Sequence, residues 1–387
     1  MKTQNKKSDH GSCSPWKKFT MVVLFVAGNA IGASVLGLPV VMHAAGFIPA
    51  CIVCILMSVV MAAAELLMVR IFIESGADDL CGMFRAKLGP LGANLFAFSY
   101  FALFFCLLVA YWSGTRDILR TFPRFNTTFP LLILLSGCCI LFGFKVAGPA
   151  NTFLTTCMFV TFLCLGLKTF TCEGGNLTKT VNFGATTAAL SIVICSYCFH
   201  GAIPMVCRQL DFNRRIINWA VICGVLFPLM FNIGILFVSF RVLTAQDLAV
   251  GAANECPVFV VLDNKLLSKE FSTIGNLFSI FAILSSLIGV TTTMKGAIGE
   301  ICSGRKVTSA VAGFTIVLLL PLAIALSCPG MFLKALRFSG GILSNFMVEI
   351  LPIAVLIKEK KINLKYCALL LIFLWIFCLE FASFAKL

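Results

Sequence analysis

Charge is what this chain has least of. Only 12% of its 387 residues are Asp, Glu, Lys or Arg, against 60% hydrophobic residues, whereas soluble domains carry nearer one quarter charged. That shortage excludes an ordinary soluble domain and points to a polytopic membrane protein. There is no Gly-x-x-x-x-Gly-Lys-Ser/Thr stretch to cradle a nucleotide phosphate, which excludes an ATP-driven pump of that type. There is no His-Glu-x-x-His and no paired aspartate within the apolar runs, and of three histidines only His200 falls well inside one. A membrane-embedded hydrolase is thereby left without a nucleophile and base or a metal cluster, and rings of charge suited to a channel are missing too. No cofactor and no metal site is expected. With no linker or low-complexity segment, the chain reads as one membrane domain over 19–387 behind a tail over 1–18.

Apolar runs of about twenty residues, taken as membrane spans, predict eleven helices. They fall at 19–43, 47–73, 92–115, 129–146, 149–169, 184–208, 216–240, 271–299, 308–328, 330–357 and 364–385. Most of the 19 cysteines lie within these runs and act there as small hydrophobes. Cys172 and Cys256 are both expected on the outer side, where a pairing stays open. The net charge of +14 is unevenly placed: Lys2, Lys6, Lys7, Lys17 and Lys18 fill the tail, and Arg208, Arg214, Arg215, Arg305, Lys306, Lys358, Lys360, Lys361 and Lys365 cluster on the same side. By the positive-inside rule the N-terminus is inside and, after eleven crossings, the C-terminus outside. The segment with Arg116, Arg120 and Arg124 runs against the rule, and the longest connection, 241–270, is expected outside. Basic charge so distributed meets membrane lipid, not nucleic acid.

Two spans are interrupted. The first holds AGNAIGAS, Ala27 to Ser34, with Pro39 beyond it, and the sixth holds FHGAIP, Phe199 to Pro204. Glycine, asparagine and proline weaken a helix, and backbone groups freed in hydrocarbon cost several kcal/mol each unless protein, water or ligand satisfies them. Taken alone, the first stretch is equally a glycine seam for close packing. Interrupted spans at matching positions in two halves of a chain are the sequence pointer to the substrate site of an inverted-repeat transporter. The freed N–H groups suit a carboxylate and the freed carbonyls an ammonium, so a zwitterionic amino acid is the expected partner. Gly28, Gly32 and Gly201 would admit it to the backbone, and Asn29, Ser34 and His200 would contact it. On the third span Tyr100, Phe104 and Tyr111 are candidates for the pocket wall.

Ionisable groups inside spans are functional candidates by default. Glu65 is a proton carrier or a protonated carboxyl bonded to a neighbouring helix. His200 takes part in proton coupling or substrate contact, or else caps carbonyls freed at the break. Lys295 stands in for a coupling cation or snorkels to the rim.

The motifs together resemble a known family, the aromatic amino acid permeases of the hydroxy and aromatic amino acid permease family, on the side of the bacterial tyrosine-specific transport proteins. The resemblance rests on GNAIGASVLGLPVVMHAAGF (28–47), Glu65, AYWSGTRDIL (110–119), FHGAIP (199–204), SLIGVTTT (286–293) and PGMFLKALRFSGGI (329–342). It implies an all-α protein of the LeuT type, with inverted repeats at 19–169 and 184–357 and an extra peripheral helix at 364–385. It also implies proton-driven uptake of an aromatic amino acid across a bacterial cytoplasmic membrane. Carried over, the substrate would lie among Gly28, Asn29, Ile31, Gly32, Ser34, Phe199, His200, Gly201, Tyr100 and Phe104, with Glu65, His200 and Lys295 as coupling candidates. Thr291 to Lys295 departs from the family pattern, and the fifth span lacks a lysine found in some relatives. Sodium coupling, exchange, and tryptophan, serine or threonine as substrate therefore stay open as alternatives.

Overall fold

A segment in hydrocarbon has no water to hydrogen-bond its backbone and must satisfy itself, so apolar runs of this length become helices. The computed structural model describes residues 15–122, 133, 144–171, 177, 180–263, 269–301 and 312–384. Within them, side chains are described except at 15, 24, 25, 28–30, 144–149, 262, 263, 269, 292, 293, 295–301, 314, 383 and 384. Every regular element among the described residues is helical, and eight helices are long and apolar enough to cross a membrane.

In chain order these are α1 (Pro15–Ala30), α2 (Ser34–Val41), α3 (Phe47–Ser75), α4 (Leu80–Leu88), α5 (Pro90–Leu119) and α6 (Phe144–Thr169). A 3₁₀ segment (Phe183–Ala189) leads into α7 (Leu190–Cys195), and a 3₁₀ turn (His200–Ala202) into α8 (Ile203–Gln209). There follow α9 (Arg214–Val242), α10 (Ala245–Ala253), α11 (Val258–Asp263) and α12 (Lys269–Ile301). Then come a π segment (Phe314–Leu319), α13 (Leu320–Ser327), α14 (Met331–Phe338), a π-helix (Ser339–Ile350), α15 (Leu351–Lys358) and α16 (Leu364–Phe384).

Set against the eleven expected spans, the first is two helices, α1 and α2, and the described part of the ninth is the shorter apolar helix Thr315–Ser327. The fourth lies outside the described residues up to 143, Ile133 apart. The connection 241–270, expected as a loop, carries α10 and α11. Thr244 starts α10 with a capping box: its Oγ1 accepts from the Asp247 amide at 3.3 Å, and the Asp247 carboxylate accepts from the Thr244 amide at 2.7 Å. The short α4 starts likewise at Asp79, whose carboxylate accepts from the Gly82 amide at 2.6 Å.

Burial ranks the spans. In Phe183–Gln209 and Met331–Lys358, 83% and 72% of the apolar window is buried, against 17% in Ala150–Thr169 and 22% in Leu364–Ala382. The interrupted sixth span is thus interior, and α16 stands at the edge with Leu371, Trp375 and Phe381 exposed. Central α5 packs on α4, α12, α13, α14 and the π-helix. Beside it a phenylalanine cluster joins α6, α9, α11 and α12. Phe162 stacks on Phe231 at 4.3 Å, Phe159 meets Phe231 at 5.1 Å, and Phe278 lies 6.0 Å from Phe162 and 6.1 Å from Phe259. Gly234 makes the slot for one of these rings: a Cβ there would fall 2.5 Å from Phe162 Cζ. Small residues that let large ones in are how membrane helices pack without a hydrophobic drive between them.

At the end that the charge pattern assigns to the inside, Glu74 gathers Arg70 at 2.9 Å, Arg214 at 3.6 Å and Lys361 at 3.7 Å, and Lys18 pairs with Asp211 at 3.2 Å. Glu359 takes Lys87 and Lys361, both at 2.7 Å. Hydrogen bonds from Lys361 and then Lys87 hold its carboxyl down at about 2. A depressed carboxyl contributes stability above the ordinary value, which is lost as pH falls through the folded one. That tie therefore persists at neutral pH and breaks only in strong acid.

Arg116, counted above as an outer charge against the rule, is no loop residue. It lies in α5, 2% exposed, with Nε and Nη2 donating to Asp117 Oδ1 at 3.0 and 2.8 Å and Nη1 donating to the Ala325 carbonyl of α13. Removing one partner of a buried pair costs about 3–5 kcal/mol. Arg116→Met should therefore lower the melting midpoint of the detergent-purified protein clearly, and Arg116→Lys by less, because lysine keeps the charge beside Asp117 while losing the planar fork. Lys168→Gln, which breaks the exposed pair with Glu270 at 2.6 Å, should leave the midpoint nearly unchanged. An Arg116→Met protein that melts with its parent contradicts this account of the α5–α13 contact.

Candidate functional site

The first break spans residues 31–33. The Ile31 amide still reaches the Ala27 carbonyl at 2.9 Å, after which Leu36 bonds back to Ala33 at 3.0 Å in a tighter turn. The carbonyl of Ile31, freed from the ladder, accepts from Ser286 Oγ of α12 at 3.3 Å. In the sixth span the break opens at Ser196, three residues ahead of the FHGAIP motif. Side chains explain the early opening. Ser196 Oγ donates to the Val193 carbonyl at 2.8 Å and accepts from Asn232 Nδ2 of α9 at 2.9 Å, while the Tyr197 hydroxyl donates to the Cys54 carbonyl of α3 at 3.1 Å. The chain regains helix at Ile203, with Pro204 in the first turn of α8, where its missing N–H leaves no bond unmade.

The two breaks meet at a cavity of about 130 Å³, room for on the order of ten waters at ~10–15 Å³ each. Gly32 and Ser34 line it from the first break; Cys198, Phe199, His200 and Gly201 line it from the second. Tyr111 and Ser286 add hydroxyls, while Leu103, Phe104, Leu107 and Leu336 make an apolar wall. A concave, largely apolar space with a few convergent polar groups is the form of a small-molecule site. Both glycines allow close approach. A Cβ on Gly32 would stand 3.1 Å from Ser286 Oγ and 3.4 Å from Tyr111 Oη, and one on Gly201 3.0 Å from Tyr100 Oη.

Seven of the expected residues thus come together: Gly32, Ser34, Phe104, Tyr111, Phe199, His200 and Gly201. Ile31 is buried and contributes its carbonyl to Ser286, not a side chain to the wall. Tyr100 stands behind Gly201 and packs on Phe96 at 5.5 Å, Phe104 at 4.6 Å and the His200 ring at 6.4 Å. The surroundings of Gly28, Asn29 and Lys295 lie outside the described residues, as does Cys172. Cys256 is buried, its sulfur 3.7 Å from the Gly251 carbonyl. Ser286, Gly289, Val290, Cys195 and Cys198 line the cavity without having been expected there; the first three carried a signal only as part of SLIGVTTT.

Glu65 and His200 face each other, 0% and 2% exposed at the side chain, with Nδ1 4.0 Å from Oε1. Neither imidazole nitrogen and neither carboxyl oxygen has a side-chain partner, and the Phe199 amide of the second break faces the Glu65 carboxyl. His200 therefore does not cap a freed carbonyl. Glu349 is a further ionisable residue buried in the bundle, at 1% exposure. The rule that selects Glu65 applies to it equally, although it is not among the expected residues.

Comparison with known proteins gives the chain's family. The model of the tryptophan/tyrosine permease family matches residues 16–375. Glutamine transporter 2 of Aliivibrio fischeri is 23% identical over 355 residues, 87% of this chain and 88% of that protein. Tyrosine-specific transport system 1 of Haemophilus influenzae is 23% identical over 364 residues, 89% of each, and the tyrosine permease of Enterobacter agglomerans 22% identical over 366 residues, 87% of each. A solved structure, a nucleobase-cation-symport-1 family transporter in a closed conformation with bromovinylhydantoin bound, is similar at TM-score 0.48 and 14% identity, over 90% of this chain and 80% of that one. These relatives are transporters, not enzymes. An all-helical membrane protein whose match to the family model runs from α1 into α16, the chain belongs to the tryptophan/tyrosine permease family.

Proposed function

We propose that the chain is a secondary active transporter that carries an aromatic amino acid, tyrosine foremost, inward across a bacterial cytoplasmic membrane in symport with protons. The observation that carries this reading is the cavity at the meeting of the two helix breaks. Its polar side suits a zwitterion: the start of α2 at Ser34 offers partial positive charge to a carboxylate, and the carbonyl ends of α1 and α7 offer partial negative charge to an ammonium. Its apolar side, Leu103, Leu107, Leu336 and the ring of Phe104, suits an aromatic side chain. On this reading 19–169 and 184–357 are inverted five-helix repeats of an eleven-span chain, with 364–385 outside them, the N-terminus inside and the C-terminus outside. The breaks then fall in the first span of each repeat. Glu65, buried against His200 beside the cavity, supports coupling to protons. Two relatives are named for tyrosine and one for glutamine. A neutral amino acid is common to them, and the apolar wall favours the ring.

Uptake of labelled tyrosine into proteoliposomes tests the reading. An inward proton gradient should drive saturable accumulation that unlabelled tryptophan and phenylalanine block and serine does not. Accumulation that follows a sodium gradient and ignores pH would overturn proton coupling, and block by glutamine with no effect of aromatics would overturn the substrate.

Two substitutions probe the residues. Gly32→Leu should cut uptake at least about tenfold, a loss of ~1.4 kcal/mol or more in substrate interaction, because its branches must enter the space beside Ser286 and Tyr111. The variant should still reach the membrane in normal amount, and unchanged uptake would refute the site. Glu65→Gln should weaken uphill accumulation more than exchange; equal loss of both would count against a proton role.

A further inference from the structure

Glu65 has a neighbour that the transport reading leaves unused. Glu349 lies in the π-helix Ser339–Ile350, and neither of its carboxyl oxygens has a side-chain partner. The π-helix packs both on α3, which carries Glu65, and on α7 beside the second break. The π-helix is clamped to that break. Ser344 Oγ and Cys198 Sγ are 2.6 Å apart, Ser339 Oγ and Cys195 Sγ 3.7 Å apart, and a Cβ on Gly340 would fall 1.9 Å from the Ser191 carbonyl oxygen. Widened helical turns of this kind recur at functional sites.

The groups around the pair supply no fixed countercharge. From the broken span come His200 and the thiols Cys195 and Cys198; from α5, Tyr100 beside the His200 ring and Tyr111 near both thiols. From α16 comes Glu380, turned towards Ser191. Cations on adjoining elements are engaged elsewhere: Arg337 of α14 faces Glu380 and Glu255, and Lys358 of α15 donates to the Lys87 carbonyl. Among the described residues, only the His200 imidazole comes within ion-pair distance of Glu65 and no basic group comes within it of Glu349. A buried carboxyl with no countercharge is costly to keep ionised, and a bound proton removes that cost.

We propose that Glu65 and Glu349, the two buried carboxyls on the elements that flank the second break, together form the proton site of this transporter, with His200 linking them to the substrate cavity. The proposal rests on the proton-coupled reading above and adds the second carboxyl to it. The link is physical: His200 lines the cavity on one side and faces Glu65 on the other. A substrate that moves the ring changes what the carboxyls can bond to.

The test compares wild type, Glu349→Gln and Glu349→Asp in proteoliposomes, reading tyrosine counterflow, tyrosine accumulation under an inward proton gradient, and tyrosine-dependent proton entry. Glu349→Gln should lose accumulation at least about tenfold more than it loses counterflow, with no tyrosine-dependent proton entry. Glu349→Asp should keep proton entry with a displaced pH midpoint. Two results overturn the inference while leaving the transport reading intact. One is a Glu349→Gln protein that accumulates tyrosine and admits protons as wild type does. The other is equal loss of all three activities in the Gln and Asp variants, the mark of a packing role. A wild type that moves no tyrosine, or accumulates it on a sodium gradient alone, overturns the transport reading itself and the inference with it.

Discussion

A peptide group in hydrocarbon that has lost its helical partner must find another, and much of this structure follows from that constraint. Where α1 stops, the Ile31 carbonyl turns to Ser286; where α7 stops, Ser196 and Tyr197 are held by Asn232 and Cys54. The first bond satisfies a freed carbonyl and draws α12 to its break; at the second, Ser196 Oγ takes the Val193 carbonyl, and the Ser196 and Tyr197 side chains draw α9 and α3. Unwound backbone is tolerated only where protein surrounds it or a cavity receives it, and here both occur at one place. The cavity thus lies where the two breaks meet, lined by residues of both.

The same constraint governs charge. Ionisable groups that have a role in holding the bundle are paired: Arg116 with Asp117 and the Ala325 carbonyl, Glu74 and Glu359 with their lysines and arginines at one end. Against that background three buried groups stand out, because Glu65, His200 and Glu349 have no side-chain hydrogen-bond partner. On the proposed reading such costly groups are kept for an exchangeable proton, and their position, on the elements that flank the second break, would join that exchange to the cavity.

The helical class, the approximate positions of the eight long apolar helices and both breaks were legible in the sequence, because each rests on local composition: apolar runs, and glycine, asparagine or proline inside them. What required long-range packing was not. The second break opens at Ser196 and not at Phe199 because Asn232 and Cys54 lie beside it, and neither is near in sequence. Ser286 joined the site through a bond to a residue more than two hundred positions away. Tyr100, a candidate for the wall, sits one layer back because Gly201 has no side chain to keep it off. Arg116 read as a loop charge because its partners, Asp117 apart, come from another helix. Glu349 was open to the rule that found Glu65; the widened turns that bring it beside Glu65 have no signature in composition. The capping box at Thr244 and Asp247 was likewise legible and marks a helix in a stretch expected to be a loop.

The central claim is that substrate binds where the two breaks meet, and a structure of the purified protein at saturating tyrosine tests it most directly. The account predicts density for the amino acid between Gly32 and Ser34 on one side and Phe199 to Gly201 on the other, its ring against Phe104 and Leu107. Density elsewhere would contradict it, as in the groove bounded by Trp16, Thr152 and Phe227, and so would a cavity left empty at a concentration that saturates transport.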